Sequence, residues 1–237
     1  MLLASTLVTA RKVPSNLKSF YDSHINGKCT NPISIAYSSG QGKSDTVYCK
    51  DNASGVVYLK DNGKGYADLD IDCDGLNADQ GKCNNDPSDQ PQTAFKDQVQ
   101  KFGIKDLDAH IHTYVVLGND NSPSEGNGGK SFDPSKDANI KPLSVVAVVC
   151  GDNLFYGVWG DVNGGISTGE TSLSLGELCF PKENLNGDKG HSEHDVLYIA
   201  FEGQEAVPGA SANWKAKTKE EFESSLGALG DKLVKKI

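Results

Sequence analysis

Residues 143–150 read LSVVAVVC and, after Gly151-Asp152-Asn153, residues 154–160 read LFYGVWG. The first run is apolar at every position but Ser144, so both of its faces must be covered. Gly-Asp-Asn is turn chemistry, and the pair reads as a β-hairpin in the middle of the chain. Strand segments lie on either side of it, at Thr46–Cys49, Gly55–Lys60, Ala109–Leu117 and Asp195–Phe201. The Ala109–Leu117 run (AHIHTYVVL) alternates, which places His110, His112 and Tyr114 on one strand face. Helices are expected at Ser15–Asn26, at Thr93–Phe102 with Gly103 as its stop, and at the C-terminus. There Thr218-x-x-Glu221 forms a capping box, and Phe222, Leu226, Leu229 and Leu233 form one stripe. The expected fold is mainly β, a barrel-like single domain with a few peripheral helices, with an α+β arrangement as the alternative.

The 237 residues suit one domain. Leu2–Ala10 is apolar, ends in small residues and is followed by Arg11-Lys12, like the tail of a signal peptide without its basic start. Residues 1–14 are therefore expected to be a leader remnant or a disordered N-terminus, and residues 15–237 a single catalytic domain. No apolar run approaches the length of a membrane span. With 23 basic and 32 acidic residues the net charge is −9, which argues against nucleic-acid or anionic-lipid partners and suits a polycationic one. Six cysteines without zinc spacing, at 29, 49, 73, 83, 150 and 179, read as disulfides of a secreted protein. Cys73 and Cys83 can close a loop together. Asn52-Ala53-Ser54 is a glycosylation sequon that agrees with secretion.

Three groups of residues carry candidate chemistry. Asp161 follows Trp159-Gly160 at the end of the hairpin's second strand, and Glu170 follows eight intervening residues that include Asn163-Gly164-Gly165. Two carboxylates flanking a glycine-rich turn suit a general acid and a general base. Trp159 offers a face on which a sugar ring stacks, or else it is core. The second group is Asp68, Asp70, Asp72 and Asp74, inside a turn-rich stretch at 61–90 that reads as a long loop. Asp70, Asp72, Asp74 and Gly75 match the opening of a calcium loop, but Gly81 stands where the bidentate Glu is needed. A calcium site, an anionic subsite and a solvated acidic loop all remain open on this pattern. Third, His110, His112, His191 and His194 show no diagnostic metal spacing. No metal is assigned to them, and hydrogen bonding in a groove is the expected role.

Several segments together resemble the fungal chitosanases of glycoside hydrolase family 75: YADLDIDCDG (66–75), AHIHTYVVLGN (109–119), PLSVVAVVCGDNLFYGVWGDVNGG (142–165), TGETSLSLGELCF (168–180) and HDVLYIAF (194–201). They keep the family's order and cover most of residues 20–203. The resemblance implies a secreted fungal enzyme that cleaves β-1,4 bonds inside chitosan with inversion at the anomeric carbon, without a cofactor. It places the two essential carboxylates on Asp161 and Glu170. Trp159, Asp70, Asp72, Asp74, His112, Tyr114 and Asn163 are the expected substrate-binding residues. Chitosan polymer or its oligosaccharides are the expected partner, and a monomer the expected state. The rival expectation is a non-catalytic, calcium-dependent carbohydrate-binding module.

Overall fold

In the computed structural model, residues 10–40, 43–120 and 131–237 are described. The hairpin forms as expected: β7 (Val145–Cys150) and β8 (Asn153–Asn163) pair antiparallel from Cys150↔Asn153 to Val145↔Val158 around Gly151-Asp152. All six residues of β7 are buried, because its neighbours hydrogen-bond both edges and the core and a helix cover its two faces. On its other edge β7 pairs with β10 (His191–Ala200). β10 runs on to β5 (Ala67–Asp72), which lies parallel to the short β9 (Glu170–Ser172). Strand β6 (Tyr114–Asn119) then bridges β9 and β8. The pairing thus runs full circle through β8, β6, β9, β5, β10 and β7.

This circuit is barrel-like but not a clean barrel. β9 has three residues, and the β5–β10 and β6–β8 registers slip. Four strands extend the mixed sheet beyond it: β1 (Arg11–Lys12) on β8, and β4 (Val57–Asp61), β3 (Ser44–Lys50) and β2 (Tyr37–Ser38) in series beyond β10. The helices are peripheral: α1 (Ser15–His24), α2 (Lys96–Val99), α3 (Pro134–Asp137), α4 (Leu173–Cys179) and α5 (Lys219–Val234). Among the described residues, no helix is long and apolar enough to cross a membrane.

Local chemistry explains the ends of these helices. Gly103, at φ +80°, stops the turn that continues α2, as its position suggested. Thr218 Oγ1 accepts from the Glu221 N–H at 3.2 Å, while the Glu221 side chain reaches back to the Lys217 N–H. Phe222, Leu226 and Leu233 of α5 are buried, and Leu229 packs at their margin. Helix α5 also carries Glu223, 1% exposed, which accepts from Tyr156 N–H and pairs with Arg11 of β1. So Arg11 and Lys12, within the segment read as a leader remnant, form a strand on β8; residues 1–9 lie outside the described residues.

The six cysteines form three disulfides, Cys29–Cys49, Cys73–Cys83 and Cys150–Cys179. The second is the pairing that proximity suggested.

Two expectations are corrected. The 61–90 stretch is not one loop, because Ala67–Asp72 is a central strand of the circuit. The strand expected from Ala109 begins only at Tyr114, since residues 107–113 form a turn in which the Asp108 carbonyl accepts from the Ile111 and His112 N–H groups. His110, His112 and Tyr114 therefore do not share a strand face. Residues 119–141, polar enough in sequence to read as a loop, contain α3, and residues 121–130 lie outside the described residues.

Candidate active site

Side-chain direction at the site follows from register. Val115 pairs with Trp159, but its neighbour Val116 pairs with Asp161, so Gly160 is an extra residue in β8. Such a bulge reverses the alternation of the strand and sends Trp159 and Asp161 to opposite faces. A side chain at position 160 is excluded: a Cβ there would lie 2.6 Å from Tyr114 Cβ. Trp159, 2% exposed, turns into the core against the edge of Phe95, and its indole donates to the carbonyls of Leu117 and Asp161.

Asp161 faces the other way, onto the side of Val116. On the far side of β6, Val115 pairs with Thr171, so Glu170 also lies on the Val116 side. Strand β5 continues the row: Asp70 pairs with Glu170 and Asp72 with Ser172, which places Asp68, Asp70 and Asp72 on Glu170's face. Gly169, at φ +91°, turns the chain into β9 beside Asp68, where a Cβ would meet Asp68 Oδ1 at 2.7 Å. Asp161 and Glu170 thus stand across one intervening strand, with Cα atoms separated by about two strand spacings, or ~10 Å.

Glu170 opens on a cleft walled also by Asp72, Asp74, Asp86, Gln90 and Asn163, with Asp161 buried beside it behind Val162; among the described residues no lysine, arginine or histidine lines it. Asp86 was not singled out by any motif, although it falls in the turn-rich stretch. Its carboxylate accepts from Cys73 N–H and from Ser88. The Cys73–Cys83 bridge ties this acidic segment down from within.

Each carboxylate has a defined anchor. Asp161, 4% exposed, accepts through Oδ1 from the N–H groups of Ala94 at 2.9 Å and Val162 at 2.7 Å. Glu170 Oε2 accepts from the Asn163 amide at 2.6 Å, and Asn163 Oδ1 accepts from Gly165 N–H at 2.8 Å. Asn163 is thereby fixed with its NH₂ toward Glu170. Tyr114 lies buried behind the acidic segment, where its hydroxyl donates to the carbonyls of Asp72 at 3.1 Å and Asp74 at 3.0 Å.

Burial raises the proton affinity of Glu170, Asp161, Asp68, Asp70, Asp72 and Asp74, and at most of them neighbouring carboxylates add to it. Glu170 is pushed up to about 8, first by desolvation and then by Asp72, against the opposing hydrogen bond from Asn163. Asp161 is raised well above the usual carboxylate range by burial and by Asp72, against its two backbone donors. Burial also raises Asp72, Asp74 and Asp70. Asp68, bonded to Ser39, is pushed up to about 7 by burial and by Asp70.

The structure thus brings Asp161, Glu170, Asn163, Asp70, Asp72 and Asp74 to one face. Trp159 and Tyr114 lie behind that face. His112 is elsewhere: its Nδ1 accepts from Asp108 N–H, its Nε2 donates to the Trp214 carbonyl at 2.9 Å, and its ring meets the edge of Phe222 under α5. The other histidines are dispersed among separate partners, His110 with Asp108, His191 with Glu183 and Asp195, and His194 with Asp61. The calcium-loop grouping does not form either. Asp70 stays on β5 opposite Glu170, while Asp72 and Asp74 converge on Asp161.

Two carboxyl groups set across one strand beside an acidic cleft, both with raised proton affinity, are the kind of pair that glycoside hydrolases use. The sequence profile of the fungal chitosanases of glycosyl hydrolase group 75 matches residues 69–236, and the chain belongs to that family. It is 53% identical over 234 residues to an endo-chitosanase of Aspergillus oryzae, an alignment that covers 97% of this chain and 94% of the relative. An endo-chitosanase of Aspergillus fumigatus is 52% identical over 233 residues, covering 97% and 93%. Endo-chitosanase B of Aspergillus oryzae is 51% identical over 240 residues, covering 98% and 96%.

Proposed function

We propose that the chain hydrolyses β-1,4 bonds within chitosan by inversion, with Glu170 as general acid and Asp161 as general base. The observation that carries this reading is that Asp161 and Glu170 project to the same side of the sheet with β6 between them, beside the acidic cleft. Their ~10 Å backbone separation suits carboxyl groups about 6.5–9.5 Å apart, the spacing that leaves room for a water opposite the leaving group. In the single displacement, the glycosidic oxygen takes the proton of Glu170 as its bond to C1 breaks. A water on the opposite ring face gives its proton to Asp161 as its oxygen bonds C1. The product is the α-anomer.

The roles follow from the anchors. Glu170 has one donor on Oε2, which leaves Oε1 to carry the proton, and its raised affinity keeps it protonated at neutral pH. Two backbone N–H groups favour the ionised form of Asp161. An ammonium group of the substrate entering beside Asp72 and Asp74 offsets the repulsion that opposes that ionisation. A cleft rich in carboxylates and, among the described residues, bare of cationic side chains matches a polymer of protonated amines. The names of the relatives agree with this substrate.

The same reading makes the protein a secreted monomer that needs no cofactor. Three disulfides support an oxidising compartment. The strand at Arg11–Lys12 supports drawing the start of the single catalytic domain ahead of residue 11, with any leader remnant before it.

Release of reducing ends from chitosan, chitin and carboxymethyl-cellulose tests the substrate, with Glu170→Gln and Asp161→Asn beside the wild type. Hydrolysis of chitosan alone is expected, reduced by about 10²–10⁴-fold in each variant. Proton NMR of the first products should show the α-anomer. Full activity in either variant overturns the site, and a β-anomer overturns inversion.

A further inference from the structure

One atom beside the cleft has its hydrogen-bonding demand unmet by the described residues. Asp161 is 4% exposed and holds its backbone donors on Oδ1, while Oδ2 is enclosed with no hydrogen-bond partner among the described residues. A buried carboxylate oxygen without a partner is costly, and such sites are completed by a proton, a water or an ion. What faces Asp161 is more negative charge. One carboxylate oxygen from each of Asp72, Asp74 and Asp161 lies within 4.8 Å of the other two.

The two aspartates opposite are anchored as well, each by one backbone donor. Asp72 Oδ1 accepts from Asp74 N–H at 2.8 Å, and Asp74 Oδ1 accepts from Gln90 N–H at 2.6 Å, so each acid is anchored through its Oδ1. Their backbone is pinned by the Tyr114 hydroxyl and by the Cys73–Cys83 bridge. Both side chains line the cleft, which gives an ion a way in.

We propose that Asp72, Asp74 and Asp161 form a binding site for a hard divalent cation of the Mn²⁺, Ca²⁺ and Mg²⁺ class, with water completing its coordination shell. Oxygens about 2.4–2.6 Å from a calcium-sized ion lie no more than about 5 Å apart, which the 4.8 Å limit meets, and the shorter bonds of Mn²⁺ or Mg²⁺ need the three side chains to close in by about half an ångström. With carboxylate oxygens as its only protein ligands, the site selects hard ions over zinc or copper, which favour nitrogen or sulfur. The ion occupies the oxygen of Asp161 that has no internal partner, and it sits where a substrate ammonium would sit. Cation and chitosan therefore exclude one another. That consequence rests on the catalytic reading above; the binding site itself does not.

Titration of the full chain with Mn²⁺ at pH 8, followed by electron paramagnetic resonance of the free ion, tests the site. Wild type is expected to take up Mn²⁺, and Asp74→Asn and Asp161→Asn should each weaken that uptake by at least about tenfold. Asp45→Asn, in the separate group Asp45, Asp61 and His194, should leave it in place. Circular dichroism confirms folding, and Asp72→Asn replaces any variant that fails to fold. No uptake by the folded wild type at millimolar metal overturns the site, as does wild-type affinity in both Asp74→Asn and Asp161→Asn. Glucosamine oligomers should release the ion from Glu170→Gln, and retention at saturating oligomer overturns the mutual exclusion. If Asp161→Asn loses the ion yet still cleaves chitosan, the cation site stands and the catalytic reading falls.

Discussion

The side-chain amide of Asn163 donates to Oε2 of Glu170 at 2.6 Å and is itself held by the N–H of Gly165 at 2.8 Å. Two residues after Asp161, the chain thus sends back a fixed donor that orients the other carboxyl. Removing it costs a hydrogen bond to a charged or developing-charge group, about 1.5–3 kcal/mol. Asn163→Ala should lower kcat by about ten- to a hundredfold with a smaller change in KM. It should also move the basic limb of the pH–rate profile upward, because the hydrogen bond lowers the proton affinity of Glu170. Initial-rate kinetics on chitosan oligomers across pH check both, and an unchanged profile would remove Asn163 from the machinery.

Stability should depend on pH in a defined direction. Glu170, Asp161, Asp68, Asp70, Asp72 and Asp74 all bind their protons more tightly in the fold than ordinary carboxylates do. Between about pH 4 and pH 8 the folded state then holds more protons than the unfolded one, so stability falls as pH rises. The contribution is fully present below the ordinary carboxylate range and lost through about 8, where Glu170 ionises. Asp74→Asn should raise the Tm at pH 8 by about 2–4 °C, the response of a domain of this size to ~1 kcal/mol, and much less at pH 4. Thermal melts at both pH values check this, and equal shifts would mean that charge repulsion is not the cause.

The Cys73–Cys83 bridge closes a short loop next to Asp74 and Asp86. Replacing both cysteines by serine should cost about 2–3 kcal/mol of stability through the freed unfolded chain. KM for chitosan should rise more than kcat falls, since Asp74 and Asp86 loosen while Asp161 and Glu170 stay on their strands. Denaturant unfolding and steady-state kinetics measure the two effects separately.

Arg11 reaches across the fold to Glu223, which lies buried on α5. Arg11→Ala strands that carboxylate with Tyr156 N–H as its remaining donor. The loss should be about 2–4 kcal/mol, below the range for a fully buried pair because Arg11 is partly exposed. Arg11→Ala with Glu223→Gln should recover part of it. Urea unfolding of both variants checks the coupling, and equal stability of single and double variants would deny it.

The hairpin was legible because eight nearly continuous apolar residues, a Gly-Asp-Asn turn and a second apolar run admit few other readings. Strand β5 was hidden by its composition. Asp68, Asp70 and Asp72 share one of its faces, and acids at every second position give the composition of a loop. Asp161 and Glu170 stood out through the motifs around them, and Asn163 between them did too. His112 and Tyr114 were placed by an alternation that begins five residues before the strand does.

By itself the sequence determined the β-rich core, the capped C-terminal helix and the acidic character of the site, because these depend on local pattern and composition. The tertiary structure alone decided which acids meet. The Gly160 bulge turns Trp159 inward and Asp161 outward, β6 sets the gap between Asp161 and Glu170, and the Cys73–Cys83 segment carries Asp74 back toward Asp161. Register between distant strands sets those meetings, and a one-residue slip would send each side chain to the opposite face.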